Sequence, residues 1–242
     1  MSSIALAWEQ FRLERKLFWR NPSAAFFNFA LPLILFLLTA TVYGGDQKLL
    51  DTLVPGIAGM SIMATTFNAL AFNLTFLREQ GILKRVLGTP IPTGSYLSGV
   101  LASAVANAFV QVAVVVAIAN LAYGVDLPPE PLRLVGVTTL GVACFGALGI
   151  AFSHAIPNFD SAPAYVNAVF LPAILISGVF YSSSALPAVM EGLADVLPLK
   201  HAVDLLSTTM ITGGTLSVGA IAVLGAWTAG GGFLAVRFFR WE

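Results

Sequence analysis

Charge is what this sequence has least of. Asp, Glu, Lys and Arg make up only 10% of the 242 residues, against 57% hydrophobic, and the mean hydropathy is +0.86. So few polar side chains could not cover the surface of a water-soluble fold of this size, which excludes a soluble domain and implies a polytopic membrane protein. Net charge is zero, so no overall basic field points to nucleic acid. Cysteine is nearly absent: Cys144 stands alone in an apolar run, which rules out an internal disulfide or a cysteine metal site and leaves packing as its expected role. No Gly-x-x-x-x-Gly-Lys-Ser/Thr pattern occurs, and Gly230-Gly231-Gly232 is followed by Phe-Leu-Ala inside an apolar run, so the chain has no nucleotide cradle of its own. His154 and His201 form no His-Glu-x-x-His pattern. Ser177-Gly178 lacks the glycine two residues before the serine that a nucleophile elbow carries. An enzyme is not expected.

What charge there is lies in bunches, and the uncharged runs between them mark the spans. Ile4 to Trp19 has helical periodicity and stops at Asn21-Pro22. Ile4, Ala7, Trp8, Phe11, Phe18 and Trp19 form a broad apolar face, Glu9, Arg12, Lys16 and Arg20 a charged one, and Leu6, Leu13 and Leu17 a second stripe. This places residues 1–21 as an interfacial helix, its second stripe facing the bundle, a cytosolic partner or lipid. The charges and aromatics between Glu9 and Arg20 differ from a removable signal peptide.

A span needs about 20 apolar residues. The expected six are Phe26–Tyr43, residues 52–77, Tyr96–Tyr123, Leu134–Ile156, Ala164–Phe180 with Pro172 inside it, and Leu216–Val236. Asn73-Leu74-Thr75 matches a glycosylation sequon but lies within the second span, out of a transferase's reach. Residues 181–214 are too polar to span and too apolar for an open loop. Two short helices broken at Pro198 are expected there, dipping into the interface or the bundle from the extracytoplasmic side.

The most informative stretch is residues 78–95, a charged segment between two uncharged runs. From Gly81 on, Ile82, Leu83, Val86 and Leu87 fall on one side of a short helix and Lys84 and Arg85 on the other, with Gly88, Pro90 and Pro92 ending it. Residue physics alone allows two readings, a surface helix offering its basic side to a partner or a solvated loop obeying the positive-inside bias. Arg12, Arg15, Lys16, Arg20, Arg78, Lys84, Arg85, Arg237 and Arg240 share one face, against Lys48, Arg133 and Lys200 on the other. Both termini are therefore expected in the cytosol, with the chain in the cytoplasmic (inner) membrane. His154 and His201 then fall on opposite faces. The spans carry no Asp, Glu, Lys or Arg near their centres, so an ion-coupled transporter is disfavoured.

Arg78-Glu79-Gln80-Gly81-Ile82-Leu83-Lys84-Arg85 with Thr89-Pro90 resembles the R-E-x-G-T-L-x-x-L-x-x-T-P stretch of ATP-binding-cassette type 2 membrane subunits, the daunorubicin-resistance-like permeases. Ser177-Gly-Val-Phe-Tyr181, Leu186-Pro187 and Leu197-Pro198-Leu-Lys-His201 are similar to later stretches of the same family. The likeness runs through essentially the whole chain. Ile82 stands where the pattern has threonine and Gly88 where alanine is common, and neither change removes the charge or the helix stop.

The resemblance implies an all-α permease that docks a separately encoded ATPase, with ATP and Mg on that partner and no cofactor in this chain. It assigns Arg78, Glu79, Gly81, Lys84 and Arg85 to the coupling contacts. It also implies a dimer, with a second copy or a paralogue, in which spans two and five line one pathway. Phe67, Asn68, Phe72, Asn167, Phe170 and Ser177 are then the candidate wall, helix packing being the other reading of such residues. Leu186, Pro187, Lys200 and His201 form an outer lid or an interfacial anchor. The function implied is export of an amphipathic drug-like or lipid-like compound; a polysaccharide exporter and a non-transporting membrane scaffold are the alternatives.

Overall fold

The computed structural model describes residues 3–20, 22–42, 46–88, 93–181 and 187–238. Every regular element among them is helical. Helix α1 (Ser3–Arg20) is followed by α2 (Pro22–Ala25), a π-helical turn at Phe26–Ala30 and α3 (Leu31–Val42), which together form one continuous helical run. Next come α4 (Gln47–Met63), a π-helical turn at Ala64–Asn68 and α5 (Ala69–Glu79), again without interruption. The charged stretch forms α6 (Ile82–Leu87), and α7 (Thr93–Tyr123) and α8 (Pro131–Ser153) follow. Helix α9 (Ala162–Ile176) precedes two short helices, α10 (Ala188–Ala194) and α11 (Pro198–Ser207), and α12 (Val218–Phe238) closes the described chain. The expected terminators Pro90 and Pro92, the tail residue Arg240 and the lid residue Leu186 lie outside the described residues.

Among the described residues, four helices are long and apolar enough to cross a membrane: Gln47–Glu79, Ser98–Tyr123, Pro131–Ser153 and Val218–Arg237. These correspond to the second, third, fourth and sixth expected spans. The stretch expected as the first span contains the 12-residue α3, and the fifth is the 15-residue α9. The helical run before α3 continues back through the π turn at Phe26–Ala30 to Pro22. Helix α9 ends at Ile176, with Ser177 as its C-cap ahead of Gly178 and its φ of 74°, four residues before the expected end at Phe180.

The Gln47–Glu79 helix is the axis of the fold. Asp46 caps its start by accepting the Lys48 backbone N–H at 3.0 Å, and every residue from Leu53 to Phe67 is buried. At about 1.5 Å per residue it is roughly 50 Å long, enough to cross a hydrocarbon core of about 30 Å and project beyond it. The main core gathers around it: Leu53, Ile57, Ile62 and Phe67 meet Phe36 of α3, Val115 of α7, Phe145 of α8 and Leu206 of α11.

The polar segment before the last helix folds as expected, two helices broken at Pro198, and it turns into the bundle. Helix α11 buries Leu199, Ala202, Val203, Leu205 and Leu206, and Val203 and Leu199 press on α4 at Gly59. Nearby, Gly56 permits the tightest approach in this region. A Cβ built there would lie 2.1 Å from the Val179 carbonyl oxygen, so α4 and the Ser177–Phe180 turn meet backbone to backbone.

Helix α1 is held by polar contacts. Its Ala7 and Gln10 sit over Gly99 of α7, and Arg15 donates to Asn107 Oδ1. Contacts thus advance together along both helices, so α1 runs beside the N-terminal half of α7. Of the second stripe, Leu13 and Leu17 are exposed and Leu6 is half-buried.

Candidate functional site

The charged stretch is built at the end of the central helix. α5 closes at Glu79, and Gly81 takes a φ of 64°, a left-handed conformation that a side chain would strain. This reverses the chain into α6. Leu83 is 2% exposed and packs with Leu70, Leu74, Leu77, Tyr96, Val100 and Ala104, with Ile82 half-buried beside them. Lys84 and Arg85 are exposed on the opposite side. For Ile82, Leu83, Lys84 and Arg85 the amphipathic division expected from the sequence is present, and a second small core under α6 fixes it to α5 and α7; the side chains of Val86 and Leu87 lie outside the described ones.

Arg78 and Glu79, expected to belong with Lys84 and Arg85, turn the other way. The Arg78 guanidinium donates to the Ser153 carbonyl at 3.0 Å and to that of Ile156. The Glu79 carboxylate accepts the Phe159 backbone N–H. Both contacts reach the turn between α8 and α9. His154, in the same turn, places Nδ1 2.9 Å from the Ile150 carbonyl oxygen and 3.1 Å from that of Ala151.

A second polar cluster joins α1 to the bundle and was missed in the sequence. Gln10 Nε2 donates to Glu14 at 2.8 Å, and Asn73 Nδ2 approaches the other Glu14 oxygen at 3.5 Å. Burial pushes the Glu14 carboxyl above its usual range, and the hydrogen bonds from Gln10 and Asn73 pull it the other way. The sequence carried little signal, because Gln10, Glu14 and Arg15 stand among the other charged residues Glu9, Arg12 and Lys16.

The candidate wall residues lie in different surroundings within this chain. A cavity of about 560 Å³ lies among the central helix, α8, α9, α11 and α12, lined by Met63, Phe67, Phe145, Phe152, Val169 and Trp227 among others. Of the wall residues only Phe67 lines it among the described residues. The Phe67 ring lies 5.3 Å from that of Phe152. Phe170 is buried, Phe72 half-buried and Asn167 exposed on α9. Asn68 Oδ1 and Ser177 Oγ are buried with no hydrogen-bond partner among the described residues.

Three donors hold the turn between α10 and α11. Lys200 pairs with the Asp195 carboxylate, His201 Nε2 lies 2.8 Å from the Asp195 carbonyl, and Trp227 Nε1 donates to the Val196 carbonyl at 2.9 Å. Pro187 opens α10. The Lys200 hydrogen bond holds the Asp195 carboxyl below its usual range. A carboxylate depressed in the folded state contributes stability that is present above its unfolded pKa, about 3.9, and is lost as pH falls through the folded value. Amide exchange in residues 195–201, corrected for intrinsic rate, is therefore expected to quicken below about pH 4, while the Asp195→Asn variant shows no such step. A step of equal size in that variant would assign the effect to another group.

Compared with known proteins, residues 4–211 match the family model described as "ABC-2 type transporter". "ABC transporter G family member 20" of Dictyostelium discoideum is 26% identical over 180 residues, covering 73% of this chain and 24% of that protein. "Nodulation protein J" of Rhizobium leguminosarum bv. viciae is 25% identical over 158 residues, covering 64% and 60%. "Probable multidrug ABC transporter permease YbhS" of Escherichia coli (strain K12) is 24% identical over 175 residues, covering 71% and 46%. The chain thus spans less than two thirds of each of these relatives.

Proposed function

Because this chain belongs to the ABC-2 type transporter family, whose members are membrane permeases, we propose that it is the permease subunit of an ATP-driven exporter. It moves an amphipathic drug-like or lipid-like compound out of the cytoplasm, and a separate ATPase subunit holds the ATP and Mg. The observation that carries this reading is the placement of α6. Its buried Leu83 ties it to α5 and α7, while Lys84 and Arg85 face outward. A load applied to that basic face passes directly into the two helices that flank it.

In this reading the chain crosses the cytoplasmic membrane six times, with both ends in the cytosol. The continuous helical run from Pro22 to Val42 supplies the first crossing and α9, with the turn that follows it, the fifth. Helix α1 lies at the inner surface beside α7, and residues 187–214 cap the outer end. Two such chains enclose the pathway. The apolar lining of the 560 Å³ cavity favours a hydrophobic cargo over polysaccharide. Asn68 and Ser177 offer buried polar atoms that a polar group on the cargo or second subunit would satisfy.

Co-purification tests the reading. Tagged wild-type chain is expected to bring down an ATPase under mild extraction. The Lys84→Ala/Arg85→Ala variant is expected to retain its own elution profile and melting temperature and to lose at least about tenfold of the associated ATPase. If no ATPase accompanies the wild type, the exporter reading fails and a membrane scaffold takes its place.

A further inference from the structure

The last turn of α5 grips a segment far away in sequence, and it does so with three side chains. The Phe76 ring meets that of Phe159 edge-on, centroids 5.3 Å apart. Arg78 reaches the carbonyls of Ser153 and Ile156, and Glu79 receives the N–H of Phe159. Ser153 is the last residue of α8 and Ile156 follows in the turn, where carbonyls lack intrahelical donors and carry the negative end of the helix dipole. Phe159 lies just before α9, whose first residue Ala162 donates to the Phe159 carbonyl, so Glu79 faces the positive approach to that helix. Cation and anion are each matched to the helix end they touch. Ser153 is 2% exposed and Ile156 fully buried, so the Arg78 contacts are sheltered, while the Glu79–Phe159 bond lies at the surface.

We propose that Phe76, Arg78 and Glu79 form a mechanical link that makes the α8–α9 turn move with the end of the central helix. Resting on the exporter reading, this divides the charged stretch into two devices. Lys84 and Arg85 receive the ATPase, while Arg78 and Glu79 pass the displacement sideways into α8 and α9. Docking on α6 then drives α5 and α7 directly and α8 and α9 through the link. Arg78 and Glu79 are positioning residues in this scheme and touch neither cargo nor nucleotide.

Amide exchange on the purified chain in lipid nanodiscs tests the link without any partner. In the Arg78→Ala/Glu79→Ala variant, peptides covering residues 154–161 are expected to exchange about tenfold faster than in wild type, since charged hydrogen bonds are the stronger ones in proteins. Peptides from α4 and from residues 82–88 should keep their rates. An unchanged rate at 154–161 overturns the proposal. If α4 also loses protection, Arg78→Lys decides: an intermediate rate at 154–161 supports the link, and a wild-type rate counts against it.

A second arm uses the co-purified ATPase with ATP and vanadate. Wild type should show altered exchange at both 82–88 and 154–161, and the double variant only at 82–88. A response at 154–161 that survives the double substitution overturns transmission through these side chains. Should no ATPase co-purify, the exporter reading fails, and the first arm alone decides whether the link exists.

Discussion

Substituting Gly56 by alanine is expected to cost roughly 3 kcal/mol, the upper part of the range for overpacked sites, and to remove most of the monodisperse protein from a mild detergent extract. The added methyl would stand 2.1 Å from the Val179 carbonyl oxygen and 2.8 Å from its Cα. Neither atom belongs to a side chain that can swing away. Either α4 or the turn after α9 must shift, and α4 is locked on its other sides by Leu53, Ile57 and Met60, each at most 1% exposed. Gly136→Ala in α8 is the matched control, since nothing lies within 4 Å of its added Cβ. It should elute as wild type and melt no lower. Size-exclusion profiles of fluorescent fusions compare the two directly. Equal recovery of both variants would show that the close approach at Gly56 is not what holds these segments together.

The second large effect is expected at Phe67. Truncation to alanine removes a ring that is 3% exposed, that contacts the Phe152 ring and that forms part of the wall of the 560 Å³ cavity. Large-to-small changes of this kind cost about 3–5 kcal/mol in a packed core. Here the surroundings already contain a void, so the transfer loss is kept while little relaxation is available to offset it. Phe67→Leu should lie much closer to wild type. Thermal unfolding in nanodiscs ranks the three proteins. The same series reports on the cavity: an apolar fluorescent probe that enters it should bind differently to Phe67→Ala and to wild type. Identical probe binding across the series would remove the cavity from the cargo route.

The α-helical class, the amphipathic α6 and the broken pair α10–α11 were legible because each rests on short-range pattern: uncharged runs, one apolar side on a six-residue helix, and a proline at a helix start. Span limits were less so. Hydropathy sees Phe26–Tyr43 and Ala164–Phe180 as uniform, but a π turn and the Ser177-Gly178 break are backbone events that composition does not register. The site divides in the same way. Lys84 and Arg85 face where the helical wheel puts them. The inward turn of Arg78 and Glu79 depends on a segment some 80 residues later, and nothing in their own neighbourhood announces it. The Gln10, Glu14 and Asn73 cluster was hidden for a related reason: Asn73 reads locally as a sequon fragment, and only its partner in α1 gives it a role. The candidate wall was chosen by residue type in two spans, and only Phe67 of that set borders the cavity among the described residues.

The π turn at Ala64–Asn68 fixes the angular phase of everything that follows it in the central helix. Such a turn accommodates one residue more than an α-helix would, and each residue of an α-helix advances the facing direction by about 100°. Deleting one residue from this turn would restore a regular α-helix and keep the facing of α5. Regularising it with the sequence unchanged would rotate the whole of α5 by about that angle. Leu70, Leu74 and Leu77 would leave the small core they share with Leu83, and Arg78 would swing away from the end of α8. The irregular turn thus acts as a gear tooth, setting the clocking between the half of the helix that faces α11 and the half that carries the charged stretch.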